Sequence, residues 1–215
     1  MQRLLLIRHG ESEWNRDGRI QGFQDSGLSD LGREQSERLR ERLGKEKIDV
    51  VYSSTSERAR DTARIALGHR IDVEARPDLR EINLGEWEGV EAAELKRRLP
   101  VETELWFRAP SKVRIPGAES LRTFRTRTTR EIDAIRSEHA DAGIVLFVHG
   151  GVICTYLTSL LGLRLDDLWR FKIRNASITK VIFPMNQPRI EALNDISHLD
   201  GAVRYAPNTP PQYLL

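Results

Sequence analysis

Four places in this sequence put chemically capable side chains where a ligand could use them. The apolar run RLLLI (Arg3 to Ile7) closes on Arg8 and His9, and Gly10 follows. The apolar run GIVLFV (Gly143 to Val148) closes the same way, on His149, Gly150 and Gly151. A third run, IDVVYSS, leads into SERARDT, which places Arg58 in the first turn of an expected helix. Imidazole and guanidinium groups are costly to bury, so core strands that end in them deliver them to something that needs them. If the three strands are neighbours, two imidazoles, two guanidiniums and the free N–H groups of helix starts, Gly150 among them, converge on one pocket. That pocket is an anion site. Phosphate suits it better than carboxylate, because a guanidinium fork engages two oxygens at once and N–H groups beside glycines approach an oxyanion closely. A metal is the competing use of paired histidines. Arginines beside both would repel a dication, and no HxxxH or carboxylate-rich spacing accompanies them, so no metal is expected. The fourth place is LREINLGEWEG (Leu79 to Gly89). A neutral imidazole can attack phosphorus and form a phosphohistidine, and the leaving oxygen then needs a proton. Among the carboxylates here Glu81 is best placed, while Asp78, Glu86 and Glu88 read as solvated turn residues.

The elements that must position these groups alternate strand and helix. RLLLI, IDVVYSS and GIVLFV read as buried strands, and IDVEA (Ile71 to Ala75) as a shorter one. SDLGREQSERLRERLG predicts a helix with Ser29 as N-cap, Leu31, Leu39 and Leu43 inward, and Gly44 past its end. SERARDTARIALG presents Ala59, Thr62, Ala63 and Ala66 on a face small enough to lie close on a sheet, and ends at Gly68. The longest helix is expected over ESLRTFRTRTTREIDAIRSEH, with Leu121, Phe124, Ile132 and Ile135 on one stripe, and another begins at GGVICTYLTSLLG. SITKVIF and RIEALN form an expected hairpin across PMNQP. Such alternation implies a three-layer α/β/α sandwich around a mainly parallel sheet, in which ligands bind beyond the carboxyl ends of the strands.

A chain of 215 residues with 39% hydrophobic content suits one domain, 1–215, with a tail (206–215) expected to be poorly ordered. No stretch approaches the roughly 18 apolar residues of a membrane span, and His9 comes too early for a secretory signal, so a cytoplasmic location is expected. A net charge of +2 spread over 31% charged residues gives no clustered basic face for nucleic acid. The single cysteine, Cys154, excludes an internal disulfide and CxxC chemistry, and its apolar surroundings predict a packed thiol.

RHGESEWN, GRIQG, LSDLG, SSTSERARDT, LREINLGEWEG, PGAES and VHGG occur in an order and spacing that resemble the histidine phosphatase superfamily, the phosphoglycerate-mutase-like clan, from Leu4 to about Leu199. The resemblance implies that His9 is the phosphorylated nucleophile, that Arg8, Arg58 and His149 hold the transferring phosphoryl, and that Glu81 is general acid and then base. It also implies that Asn15 and Gln21 line the site, with Ser12 nearby. The chain departs at Ala118, where the family usually has glycine, and at Val148, where serine or threonine is common; neither removes a reacting group. Residues 90–115 are too few for the insertion of cofactor-dependent mutases, and NASIT and LNDISHL look like the phosphatase branch, which includes broad-specificity and metal-independent phosphoserine phosphatases. The expected activity is hydrolysis of small phosphomonoesters without metal or cofactor, with a homodimer as an option for assembly. The alternatives are mutase-type phosphoryl transfer and a non-catalytic protein that binds phosphorylated ligands. Residues 95–116, with Trp106 and Phe107 among Arg108, Lys112 and Arg114, are expected to form a lid; their aromatics face either the substrate or the core.

Overall fold

A computed structural model of the chain describes residues 1–68 and 72–199. In chain order the elements are β1 (Gln2–Arg8), α1 (Glu13–Arg16), α2 (Asp30–Leu43), β2 (Val50–Ser54), α3 (Glu57–Leu67), β3 (Glu74–Arg76), α4 (Ala92–Arg98), α5 (Pro100–Arg108), α6 (Leu121–Glu138), β4 (Gly143–Val148), α7 (Gly150–Leu160), β5 (Ile178–Phe183) and β6 (Arg189–Asp195). The six strands form one sheet in the order β3-β2-β4-β1-β5-β6. The β1, β2, β3 and β4 pairings are parallel, and the β5–β6 hairpin joins β1 antiparallel. The expected strand IDVEA is seen as Glu74–Arg76, and its Ile71 lies outside the described residues, as does the 206–215 tail.

Helices cover both faces of the sheet, which is why its central strands are apolar at every position rather than at alternate ones. Leu4, Leu6, Ile144, Leu146 and Val148 pack with Phe124, Ile132 and Ile135 of α6 and with Val152, Ile153 and Leu157 of α7. Leu5, Ile7, Val145 and Phe147 point the other way, onto Leu39 and Leu43 of α2 and Ala63 and Ala66 of α3. The small face of α3 is buried as its sequence requires, and Ser29 and Ser120 cap α2 and α6 through their hydroxyls. Leu31 departs from expectation. It is only half-buried, because Gly32, Gln35 and Ser36 take the inward positions in the first turns of α2. Cys154 is buried in the α6–α7 layer, and desolvation pushes its thiol pKa well above the ordinary value.

Residues 95–116 fold largely as α4, α5 and a short 3-10 turn. Trp106 is 5% exposed and packs between Trp87, edge to face, and Trp169, tilted, with ring centroids 5.8 and 5.7 Å away. Phe107 packs on Trp169 as well. Trp106 therefore belongs to the core, and half-buried Phe107 packs at the edge of the same cluster. Among the described residues, no helix is long and apolar enough to cross a membrane.

Candidate active site

The strand order makes β2, β4 and β1 neighbours, so their carboxyl ends bring Arg58, His149 and His9 together. Arg8 pairs with Val148 across β1 and β4, and the His9 N–H donates to the Val148 carbonyl at 3.0 Å. That register sets the two imidazoles side by side, centroids 5.2 Å apart in an edge-to-face arrangement. Both rings are buried.

A hydrogen bond fixes where the His9 proton sits. His9 Nδ1 lies 2.7 Å from the Gly10 carbonyl oxygen, which can only accept. Nδ1 therefore carries the hydrogen, and Nε2 keeps its lone pair. Arg58 Nε donates weakly to that Nε2 at 3.3 Å. Burial, then the charges of Arg58 and Arg8, hold the His9 pKa well below 6.5 against the opposing Gly10 bond, so the ring is neutral near pH 7. On His149, Nε2 lies 2.8 Å from Ser54 Oγ, which already accepts the Ser56 N–H at 3.2 Å. A serine hydroxyl offers one donor and two acceptor sites, so this contact fits either tautomer of His149. Among the described residues, His149 Nδ1 is a buried atom with no hydrogen-bond partner. Desolvation, followed by Arg58, His9, Arg8 and Arg80, keeps this imidazole neutral too.

Arg58 is wholly buried, and a loop between α1 and α2 holds its guanidinium. Asp25 Oδ1 accepts from Nη1 at 2.7 Å, the Gln24 carbonyl from Nη1 at 3.2 Å and the Gly22 carbonyl from Nη2 at 3.1 Å. The Asp25 carboxylate also accepts the Glu57 N–H, so one residue caps α3 and orients the cation on its first turn. Arg8 Nη1 donates to the Ile173 carbonyl at 2.7 Å, and Gly150 lies against the Arg8 guanidinium. Ser12 caps α1 through the Asn15 N–H, and Gln21 donates both amide hydrogens, to Ser12 Oγ and Ser26 Oγ, each at 2.7 Å. Asn15 Oδ1 accepts from Asn175 Nδ2 at 3.0 Å, leaving its own Nδ2 buried and unpartnered. Asn175 Nδ2 also reaches the His9 and Gly10 carbonyls, fixing the backbone of the RHG turn.

Glu81 is seated at the start of α7. Its Oε2 accepts the Gly151 N–H at 2.9 Å and its Oε1 the Ile82 N–H at 2.9 Å. A methyl at Gly151 would lie 2.3 Å from Oε1, so this seat requires glycine. The reading of Glu88 as a solvated turn residue is corrected by its contacts. Its carboxylate accepts the N–H groups of Phe23 and Leu84 at 2.8 Å and of Gln24 at 2.9 Å, tying the loop that holds Arg58 to the loop that carries Glu81. A side chain at Gly22 would collide with it. Glu86 is exposed, as expected. Asp78 is half-buried, with its carboxylate paired to Arg130.

Arg8, His9, Ser12, Asn15, Gln21, Arg58, Glu81, His149 and Gly150 all lie at this end of the sheet or on the loops around it. The sequence gives no sign of Asp25, Ser54 or Asn175, whose contacts only the fold reveals. NASIT was conspicuous but gave no role to its asparagine, and nothing local distinguishes Asp25 from a turn residue. Among the described residues, no group of three or more His, Cys, Asp or Glu side chains is arranged to hold a metal ion.

Comparison with known proteins places the chain in a family. The model of the family described as "Histidine phosphatase superfamily (branch 1)" matches residues 4–196. Phosphoserine phosphatase 1 of Hydrogenobacter thermophilus is 34% identical over 200 residues, covering 93% of this chain and 95% of that one. A metal-independent phosphoserine phosphatase of Arabidopsis thaliana is 33% identical over 203 residues, covering 92% and 83%. The structure of a phosphoserine phosphatase from Entamoeba histolytica, solved with 3-phosphoglyceric acid, superposes with a TM-score of 0.83 at 28% identity, covering 93% of this chain and 100% of that one.

Proposed function

The chain belongs to the histidine phosphatase superfamily (branch 1) and is a phosphatase, and we propose that it hydrolyses small phosphomonoesters, phosphoserine and related substrates among them, through a phosphohistidine on His9. The observation that carries this reading is the His9 tautomer: Nδ1 is committed to the Gly10 carbonyl and Nε2 presents a lone pair in a pocket of guanidiniums.

In the first step the Nε2 lone pair forms the N–P bond and the ester P–O bond breaks. The protonated carboxyl of Glu81 gives its hydrogen to the leaving oxygen. Arg8, Arg58 and the Nδ1–H of His149 take the non-bridging oxygens, with Asn15 Nδ2, the Ser12 hydroxyl and the Gly150 N–H as further donors. These groups are fixed before substrate arrives, so little reorganisation accompanies the charge that develops. In the second step water attacks phosphorus from the side the alcohol has left, and the Glu81 carboxylate takes its proton. The N–P bond breaks, orthophosphate leaves and His9 returns neutral. The guanidiniums of Arg8 and Arg58 neutralise the phosphoryl charge and the neutral imidazoles add only a nucleophile and a hydrogen-bond donor, so the scheme uses no metal.

The test separates leaving groups. Glu81→Gln should lose about 10²–10⁴-fold on phosphoserine, whose alkoxide must be protonated, and far less on p-nitrophenyl phosphate. Phosphoenzyme should accumulate in that variant with the aryl ester. Equal losses on both esters without trapped phosphoenzyme would assign Glu81 a structural role. Absence of phosphate release from any ester by the unaltered protein would leave only ligand binding.

A further inference from the structure

Arg80 precedes Glu81 on the same loop and has no part in the scheme above. Its guanidinium lies over the Phe23 ring, 4.6 Å from the centroid, and its Nη2 donates to the Phe23 carbonyl. The carbonyls on either side, of Gly22 and Gln24, hold Arg58. Three successive carbonyls of one loop therefore hold two guanidiniums, which places Arg80 beside the phosphoryl cradle. Its charge is accordingly among those that depress the pKa of both Arg58 and His149. The backbone beneath it is rigid, because Arg127 donates to the Arg80 and Glu81 carbonyls at 2.8 Å each.

Two neighbouring cations are neutralised within the protein: Arg58 pairs with Asp25 and Arg127 with Glu119. Among the described residues, Arg80 has no carboxylate partner and the Phe23 carbonyl is the sole acceptor for its five N–H groups. Its Nε is buried without a hydrogen-bond partner. A half-buried guanidinium with donors to spare, set next to the residue that faces the leaving oxygen, is built for an anion on the leaving group.

We propose that Arg80 is the specificity residue of this site and takes a carboxylate on the alcohol portion of the substrate. The inference rests on the phosphatase reading and narrows it to phosphomonoesters whose alcohol carries a carboxylate. A planar fork matches a planar carboxylate, whereas the phosphoryl group already has its own donors. Because the contact is remote from the breaking bond, it is made in ground state and transition state alike and should appear chiefly in KM.

Phosphoserine and phosphoethanolamine differ by that carboxylate alone, so the ratio of their kcat/KM values reads the contact. The unaltered protein should favour phosphoserine by about 10- to 100-fold, the range for a charged hydrogen-bonded pair. Arg80→Gln should bring the ratio close to one whatever loss is common to both substrates, and Arg80→Lys should keep part of it. A ratio near one in the unaltered protein, or an undiminished ratio in Arg80→Gln, overturns the proposal. If Arg80→Gln does not fold, the unaltered protein and Arg80→Lys still decide. Failure to release phosphate even from p-nitrophenyl phosphate would strike the phosphatase reading instead.

Discussion

Replacing Gly151 by alanine isolates the seat of the proposed general acid. The added methyl would lie 2.3 Å from Glu81 Oε1 and 3.0 Å from its carboxyl carbon. Real Cβ contacts essentially never fall below 3.0 Å and are ordinary at 3.4 Å, so the oxygen must retreat by 0.7 to 1.1 Å (3.0 or 3.4 less 2.3). The obstructing atom is the end of a flexible side chain, so the fold yields easily. The substitution in α7 also removes a glycine from a helix, which favours folding by up to about 1 kcal/mol. Catalysis responds in the opposite direction, because a misplacement of about 1 Å can cost 10²-fold. The expected variant is at least as stable as the parent by thermal unfolding and about 10²-fold slower on phosphoserine. It should lose much less on p-nitrophenyl phosphate, whose leaving group needs no proton. Undiminished turnover of phosphoserine would mean that Glu81 is not the acid, or that its seat at Gly151 does not matter. Equal losses on both esters would point to damage at His9 or Arg58.

Further outcomes follow from the same geometry. Glu88→Gln places an amide N–H against the Gln24 N–H and should cost about 1–3 kcal/mol in urea unfolding; because it loosens the loop that holds Arg58, it should slow alkyl and aryl esters alike. His9 and His149 are neutral in the folded protein with pKa values held well below 6.5, whereas the unfolded chain takes up protons near 6.5. Their contribution to stability is therefore complete above pH 6.5 and is lost as pH falls through that value toward the folded pKa, by about 1.4 kcal/mol per pH unit for each ring. Urea titrations at pH 7.5 and 5.5 should show His149→Gln with the shallower dependence; identical slopes would mean that His149 is charged when folded. Activity on p-nitrophenyl phosphate should survive exhaustive EDTA treatment, and abolition with rescue by a divalent cation would refute the metal-free scheme.

The parts of this site that could be read from the sequence are those governed by local pattern. GIVLFV announces a strand buried on both faces, and a helix covers each of them. The equivalence of His9 and His149 was visible because each follows an apolar run and precedes glycine, and the sheet order turned that equivalence into proximity. What escaped were contacts between loops. Asp25 meets Arg58 across 33 residues, and Glu88 meets Phe23 across 65, with no periodicity to betray either. Trp106 illustrates the reverse error, since an aromatic among arginines suggests a binding surface, yet packing between two other tryptophans decided its place.

The central claim is that His9 Nε2 forms the bond to phosphorus. Rapid acid-free quenching during turnover of a phosphorus-labelled ester, followed by peptide mapping at alkaline pH, tests it most directly. The account predicts a base-stable, acid-labile label on His9, more abundant in Glu81→Gln and missing in His9→Ala. Label on His149, or turnover by Glu81→Gln with no labelled histidine at any time, would contradict it.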